Sequence, residues 1–137
     1  MKLLNWAKRR LSTEPILRKI IKEDTKKLAV FGTGNPTRAF LYVEDFCDGA
    51  LLAIEKGIGK EPINIGSDEE ISIKNVVKKI CDHAQKNPTL IFDISKPDGQ
   101  PRRASDITFA EETLGFKPMI SLDEGLRKTI QWYKKNM

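Results

Sequence analysis

Three arginines and one glycine-bounded turn carry the most chemistry in this sequence. Arg38 follows Gly32-Thr33-Gly34-Asn35-Pro36-Thr37 and precedes the apolar run Phe40-Leu41-Tyr42-Val43. A planar guanidinium held by a rigid strand can give two parallel hydrogen bonds to a phosphate or diphosphate. Arg102-Arg103 is a second such position, after Pro101 on a loop of turn formers that starts at Ser95. On residue type alone, an anion grip and ordinary surface charge are both open readings, and surface charge is the commoner fate of an arginine.

Gly32-x-Gly34 after an apolar run invites comparison with the phosphate loop of dinucleotide-binding folds. That loop needs a third glycine and a helix that opens directly on the phosphate. Thr37 stands at the third-glycine position, and Pro36 with the extended run after Arg38 opposes a helix. No cofactor loop is expected. His83, the only histidine, has no acid or hydroxyl partner at a recognisable sequence spacing, and no serine lies in a nucleophile elbow. Cys47 and Cys81 belong to no Cys-x-x-Cys or Cys/His cluster and read as two reduced thiols. No catalytic residue and no metal site are expected.

The 137 residues suffice for one domain. With 39% apolar and 31% charged residues, they describe a folded globular chain rather than a disordered tail. The longest apolar runs, Leu28–Phe31 and Gly49–Ile54, fall far short of the ~20 residues a membrane span needs. No apolar stretch follows the basic start, so no signal peptide is expected and a cytoplasmic setting is. The net charge of +5 is uneven: residues 1–27 hold nine Lys/Arg against three acids, and the rest hold 15 against 16. Such an excess attracts nucleic acid, a membrane face or an anionic ligand, or it is a solvated helix surface. Nucleic acid is the weakest of these, because Trp6 is the only aromatic residue in the basic stretch and no RNA or DNA motif is present.

These residues must be positioned by short elements. Met1–Leu11 reads as a weakly capped helix. Ser12-Thr13 and Pro15 open a second helix that runs to about Asp24, with Ile16, Leu17, Ile20 and Ile21 as its stripe. Leu28–Phe31 reads as a strand, and Phe40–Val43 as another extended piece. A helix from about Glu44 to Lys56 has acids at its start and Gly57 as its stop. It is apolar around much of its girth, which calls for burial on more than one side. Pro62–Gly66 reads as a short strand, Ser72 caps a helix to about Ala84, and Leu90–Phe92 is a strand. Residues 93–106 read as loop. Ile107–Leu114 is a short helix ending at Gly115. Ser121-Leu122-Asp123-Glu124 is a capping box for a last helix with Leu122, Leu126, Ile130 and Tyr133 inside.

Three stretches together resemble the extended short-chain dehydrogenases that act on nucleotide sugars, the NAD-dependent epimerase/dehydratase family. Val30-Phe31-Gly32-Thr33-Gly34-Asn35-Pro36-Thr37-Arg38-Ala39-Phe40-Leu41-Tyr42-Val43-Glu44-Asp45 is similar to their V-W-G-T-G-x-P-x-R-E-F-L-Y-V-D-D segment. Pro62–Ile73 is similar to their N-I-G-x-G-x-x-x-S-I segment. Phe92–Arg103 with Leu114-Gly115-Phe116-Lys117-Pro118 is similar to their substrate-lobe signature. Within the family, Ser95–Arg103 is most similar to the GDP-L-fucose synthase branch. Phe31 and Ala39 depart from that pattern, which has Trp and Glu there.

The resemblance implies an α/β (α+β) substrate-binding lobe, with three or four short strands, four or five helices and no Rossmann domain. Residues 1–14 are unplaced and 15–137 form the nucleotide-sugar-binding domain. Arg38 would hold a diphosphate, with GDP-linked sugars favoured, and Phe31 would sit where the Trp contacts substrate. Arg18 and Lys19 match a basic pair on the nucleotide side, and Arg102 and Arg103 match a closing loop. Family members are about twice this long and carry an NADP or NAD loop, a catalytic Ser and a Tyr-x-x-x-Lys pair, none of which occurs here. The implied function is the substrate-binding portion of an epimerase/reductase, truncated or split and inactive alone. A stand-alone nucleotide-sugar-binding module is the alternative. The resemblance also implies that residues 40–66 self-associate or bind a separate Rossmann-domain chain, through the helix and an unpaired strand edge at Ile63–Ile65.

Overall fold

The computed structural model describes residues 14–56, 59 and 61–136. The Met1–Leu11 helix, the Ser12-Thr13 cap and the Gly57 stop lie outside the described residues.

Helix α1 (Glu14–Leu17) continues as a π-helical turn, Arg18–Lys22, and stops short of the expected Asp24. Strand β1 (Lys27–Phe31) follows, then β2 (Thr37–Ala39), α2 (Val43–Glu55) and β3 (Glu70–Ser72). Next come α3 (Ile73–Ala84), β4 (Thr89–Asp93), β5 (Arg102–Arg103), α4 (Thr108–Leu114) and α5 (Leu122–Asn136). The α/β class holds.

Local chemistry starts and ends several of these elements as expected. Ser72 caps α3 by accepting from the Asn75 N–H at 3.4 Å, and Ser121 accepts from the Glu124 N–H at 3.3 Å ahead of α5. Gly115 closes α4 in the left-handed conformation, with φ of 67°.

Strands β1 and β4 pair in parallel, from Lys27 opposite Thr89 to Phe31 opposite Asp93. Their inward residues join the main core, where α1, α3 and α5 contribute Leu17, Ile20, Val77, Ile80, Leu126 and Ile130. A second, smaller core forms around Ala110, Leu114 and Phe116, with Leu41, Leu52, Ala53, Ile63 and Ile65 against it. The other sheet has the order β3-β2-β5, antiparallel on one side of β2 and parallel on the other.

Two expected strands are corrected. Phe40–Val43 is not a strand; the strand is Thr37–Ala39, and Tyr42 is already the residue that caps α2. The apolar run reflects core packing instead, since Phe40 joins the main core and Leu41 the smaller one. Pro62–Gly66 is not a strand either. Ile63 and Ile65 alternate into the smaller core, so they show the period of a strand without a ladder partner among the described residues. Asn64 points the other way and donates to the Asp106 carbonyl at 3.0 Å. The expected unpaired edge at Ile63–Ile65 therefore does not exist. Conversely, Glu70–Ser72 and Arg102–Arg103 are strands where a cap and a loop were expected.

Helix α2 is anchored by an unusual group. Asp45 is 3% exposed and its two carboxylate oxygens accept the N–H groups of Met119 (3.2 Å) and Ile120 (3.0 Å). Gly49 is the contact point one turn on, where a Cβ would lie 2.6 Å from Ile65 Cγ2 and 2.9 Å from Phe116 Cε2. The opposite face stays in solvent: Val43, Phe46, Leu51 and Ile54 are 52–76% exposed.

Asp45→Ala leaves the Met119 and Ile120 N–H groups without their acceptor, and hydrogen bonds to a charged acceptor are each worth about 1.5–3 kcal/mol. A loss of about 2–4 kcal/mol in chemical denaturation is expected, with Asp45→Asn losing less because the amide oxygen keeps one of the two bonds.

Candidate anion-binding site

The site is built on the turn after β1. Gly32 and Gly34 both have positive φ, 75° and 73°. A Cβ on Gly32 would sit 2.1 Å from Asp98 Oδ1 and 3.0 Å from Asp98 Cα, so only glycine lets the 94–101 loop come this close. Asp98 uses that access: one carboxylate oxygen accepts the Thr33 N–H, and the other accepts the Thr33 hydroxyl at 2.7 Å. The far side of the turn is tied to the start of α3, where Lys74 N–H donates to Gly34 O (2.9 Å) and Ile73 N–H to Pro36 O (3.0 Å). The glycine pair is thus a clamp point between two loops. The segment that follows it is strand β2, not a helix.

The clamp delivers β5 to β2. Thr37 N–H donates to Pro101 O at 2.9 Å, and the parallel register sets Thr37 beside Arg102 and Arg38 beside Arg103. Side chains alternate across a sheet, so these two pairs lie on opposite faces. On one face, Glu70 of β3 accepts the Thr37 hydroxyl (2.9 Å) with one oxygen and Arg102 Nε (2.9 Å) and Nη2 with the other. Hydrogen bonds from Arg102, then Thr37, hold the Glu70 carboxyl below the usual range, and Glu70 in turn raises the Arg102 pKa.

On the other face Arg38 and Arg103 are neighbours with no acid between them. Arg38 Nη1 donates to Thr37 O (2.6 Å) and Gln100 O (2.9 Å), which fixes one end of the guanidinium. The Arg103 side chain is exposed and makes no hydrogen bond or ion pair among the described residues. Like charges directly opposite on a sheet repel. A diphosphate between them would turn that repulsion into charge-assisted hydrogen bonds.

The expected site residues therefore separate. Arg38 and Arg103 come together. Arg102, expected beside Arg103 over the ligand, lies on the opposite face by strand alternation and pairs there with Glu70. Phe31 ends β1 immediately before the clamp and is 66% exposed. Arg18 pairs with Glu23 at 3.6 Å, and neither Arg18 nor Lys19 contacts the arginine pair among the described residues. Sequence reasoning missed Asp98, Gln100 and Glu70. Asp98-Gly99 announced a turn, but nothing local says where a turn docks. His83 does find an acid partner, 40 positions away: its Nε2 lies 3.1 Å from Asp123 Oδ1, and Lys79 donates to the other oxygen at 2.6 Å. This is a surface link between α3 and α5. Cys47 is exposed and Cys81 buried, both free. No three-residue metal-ligating group exists among the described residues, and none of their helices is long and apolar enough to cross a membrane.

Comparison with known proteins shows the family. The family model described as GDP-mannose 4,6 dehydratase matches residues 7–129. The chain belongs to the extended short-chain dehydrogenases. It is similar to the probable GDP-L-fucose synthase 1 of Oryza sativa subsp. japonica, 37% identical over 81% of this chain and 34% of that protein. It is also similar to the UDP-N-acetyl-alpha-D-glucosaminuronate decarboxylase of Bacillus cytotoxicus, 34% identical over 79% of this chain and 36% of that protein. Among solved structures, a variant of the UDP-glucuronic acid 4-epimerase from Bacillus cereus, in complex with UDP-4-deoxy-4-fluoro-glucuronic acid and NAD, matches with a TM-score of 0.82. It is 29% identical and covers 93% of this chain and 41% of that one. The matched stretch covers about a third of the length of each of these curated relatives.

Gly32→Ala combines a positive φ with a collision against Asp98, so it should destabilise by more than the ~1 kcal/mol range of a benign glycine replacement. Amide exchange of Thr33, slowed by its bond to Asp98, should accelerate in the same variant.

Proposed function

We propose that this chain is the substrate-binding part of a nucleotide-sugar epimerase or reductase of the GDP-L-fucose synthase type. Arg38 and Arg103 grip the diphosphate from one face of the β3-β2-β5 sheet. The observation that supports this most is the uncompensated arginine pair in parallel register. Phe31, exposed at the end of β1, stacks on the sugar or its neighbour. Arg18 and Lys19 serve the nucleotide side only in the complete enzyme. GDP-linked sugars are favoured because the Ser95–Arg103 run is closest to that branch. The relatives' names include both GDP- and UDP-sugars, so the diphosphate is the part of the ligand they share. A stand-alone binding module is the second reading, favoured by one fact: both arginines lie within this chain.

Cofactor chemistry belongs to the rest of such an enzyme. The Tyr-x-x-x-Lys pair, in which the Lys makes the Tyr a usable acid or base, is absent from the sequence. The proposal assigns this chain no NADP or NAD site, no catalytic residue and a cytoplasmic setting. It also assigns residues 40–66 a partner, either a second copy or a separate Rossmann-domain chain. The support is the solvent-facing stripe of α2, since each Å² of apolar surface left in water forgoes about 25 cal/mol and large patches mark interfaces.

Four outcomes are expected. In calorimetric titration with GDP-mannose or GDP-fucose, Arg38→Ala should lose about 1.5–3 kcal/mol, roughly tenfold to over a hundredfold in affinity. The wild-type chain should oxidise no NADPH in the presence of a GDP-keto-deoxy sugar. Equal affinities for the two proteins would remove Arg38 from the site. In light scattering at micromolar concentration, the chain should run above its monomer mass, or do so once a cofactor-domain chain is added. Leu51→Glu should abolish the larger species.

A further inference from the structure

Glu70 is the one acid inside a cluster of three arginines, and nothing in the proposed function uses it. Its position is not that of a bystander. Strand β5 is only two residues long, so few backbone hydrogen bonds hold it against β2. The same two residues bring a second positive charge beside Arg38, which pushes β5 away. What draws β5 back is on the other face. Glu70 binds Arg102 of β5 through Nε and Nη2, and Thr37 of β2 through its hydroxyl, so one carboxylate spans all three strands. The Glu70 side chain is 26% exposed and that of Arg102 is 72% exposed, so the acid is the less exposed of the two.

We propose that Glu70 is a positioning residue of the anion site: it holds Arg102 and Thr37 on the far face, and thereby sets Arg38 and Arg103 side by side on the near one. This rests on the reading of Arg38 and Arg103 as a diphosphate grip. It gives the two adjacent arginines different duties, Arg103 toward the ligand and Arg102 toward the fold. The assignment also fixes the charge of the site. With Glu70 spent on Arg102, the ligand meets the two charges of Arg38 and Arg103 rather than three.

The two roles that Glu70 can have predict opposite signs. An acid that is only near a basic site weakens anion binding, so its removal tightens binding. An acid that positions the site does the reverse. The probe is inorganic pyrophosphate, titrated into the full chain by calorimetry. Glu70→Ala should bind about tenfold more weakly than wild type, and Arg102→Ala should lose about as much. The double variant should be no worse than either single one, because the two residues act as one unit. Glu70→Gln, which keeps an acceptor for Arg102 or Thr37, should fall between. Tighter binding by Glu70→Ala, with weaker binding by Arg102→Ala, would make Arg102 a ligand contact and overturn the proposal.

A wild-type measurement does not depend on how the variants fold. The Glu70 carboxyl is held below the ordinary range by Arg102 first and Thr37 second. It therefore stays charged throughout neutral pH, and whatever stability it contributes is lost only as pH falls through that lowered value. Followed by NMR, its titration midpoint should stay low when pyrophosphate is bound. A midpoint that returns to the usual glutamate range on binding would mean that Arg102 leaves Glu70 for the ligand, again overturning the proposal. If the wild-type chain binds neither pyrophosphate nor GDP, the diphosphate reading fails by itself. The positioning claim is then judged by amide exchange across Thr37–Ala39, which should accelerate in Glu70→Ala and would refute it if unchanged.

Discussion

Alternation of side chains along a strand is the constraint on which the site depends. Strand β2 is three residues long and lies between two others, so Thr37 and Arg38 each have a neighbour on both flanks. Thr37 faces the acid–arginine pair and Arg38 faces the opposite way, beside Arg103. A slip of one residue in β5 would exchange Arg102 and Arg103 and place Glu70 within reach of the wrong arginine. Register is therefore chemistry here. The structure protects it from two directions, through Asp98 on Thr33 at the start of the loop and Glu70 on Arg102 at its end.

The same economy shapes the loops. Gly32 and Gly34 are glycines because neighbours occupy the space of a side chain: Asp98 at one, Phe92 and Lys74 at the other. Phe92 belongs to β4, and its ring also packs on the main core. The turn that leads to Arg38 is thus braced by the core on one side and by the 94–101 loop on the other. Arg38 itself closes the circuit by donating to Gln100 O. Such bracing reduces the entropy that a ligand would have to remove, which is how a few surface arginines would become the preorganised site proposed above.

Helix α2 shows the opposite balance. Its inward side is small and polar at the decisive points, Asp45 and Gly49, and its outer side carries Val43, Phe46, Leu51 and Ile54. A monomeric surface helix ordinarily turns such a stripe to the core. Here the backbone N–H groups of Met119 and Ile120 claim Asp45, and the close approach of Ile65 and Phe116 needs Gly49. Those two contacts set the rotation of the helix, and the apolar stripe faces outward as a consequence. Glu44 and Lys128 meet at 2.9 Å at the margin of that face.

Elements with their own local signals were legible in the sequence: α3 from Ser72, α4 from Gly115, α5 from Ser121, and the strands at Leu28–Phe31 and Leu90–Phe92. The family was legible too, because its motifs are contiguous. The short strands were not. Ile63 and Ile65 alternate like a strand and pack into a core without one, whereas Glu70–Ser72 and Arg102–Arg103 lack strand-like runs and pair all the same. In a two- or three-residue strand, propensity is too weak to decide, and the partner brought alongside by the rest of the chain does so. Which of Arg102 and Arg103 would face Glu70 was undecidable for the same reason. Adjacent arginines are equivalent in a sequence, and they become different only when a sheet turns one toward Glu70 and the other away from it.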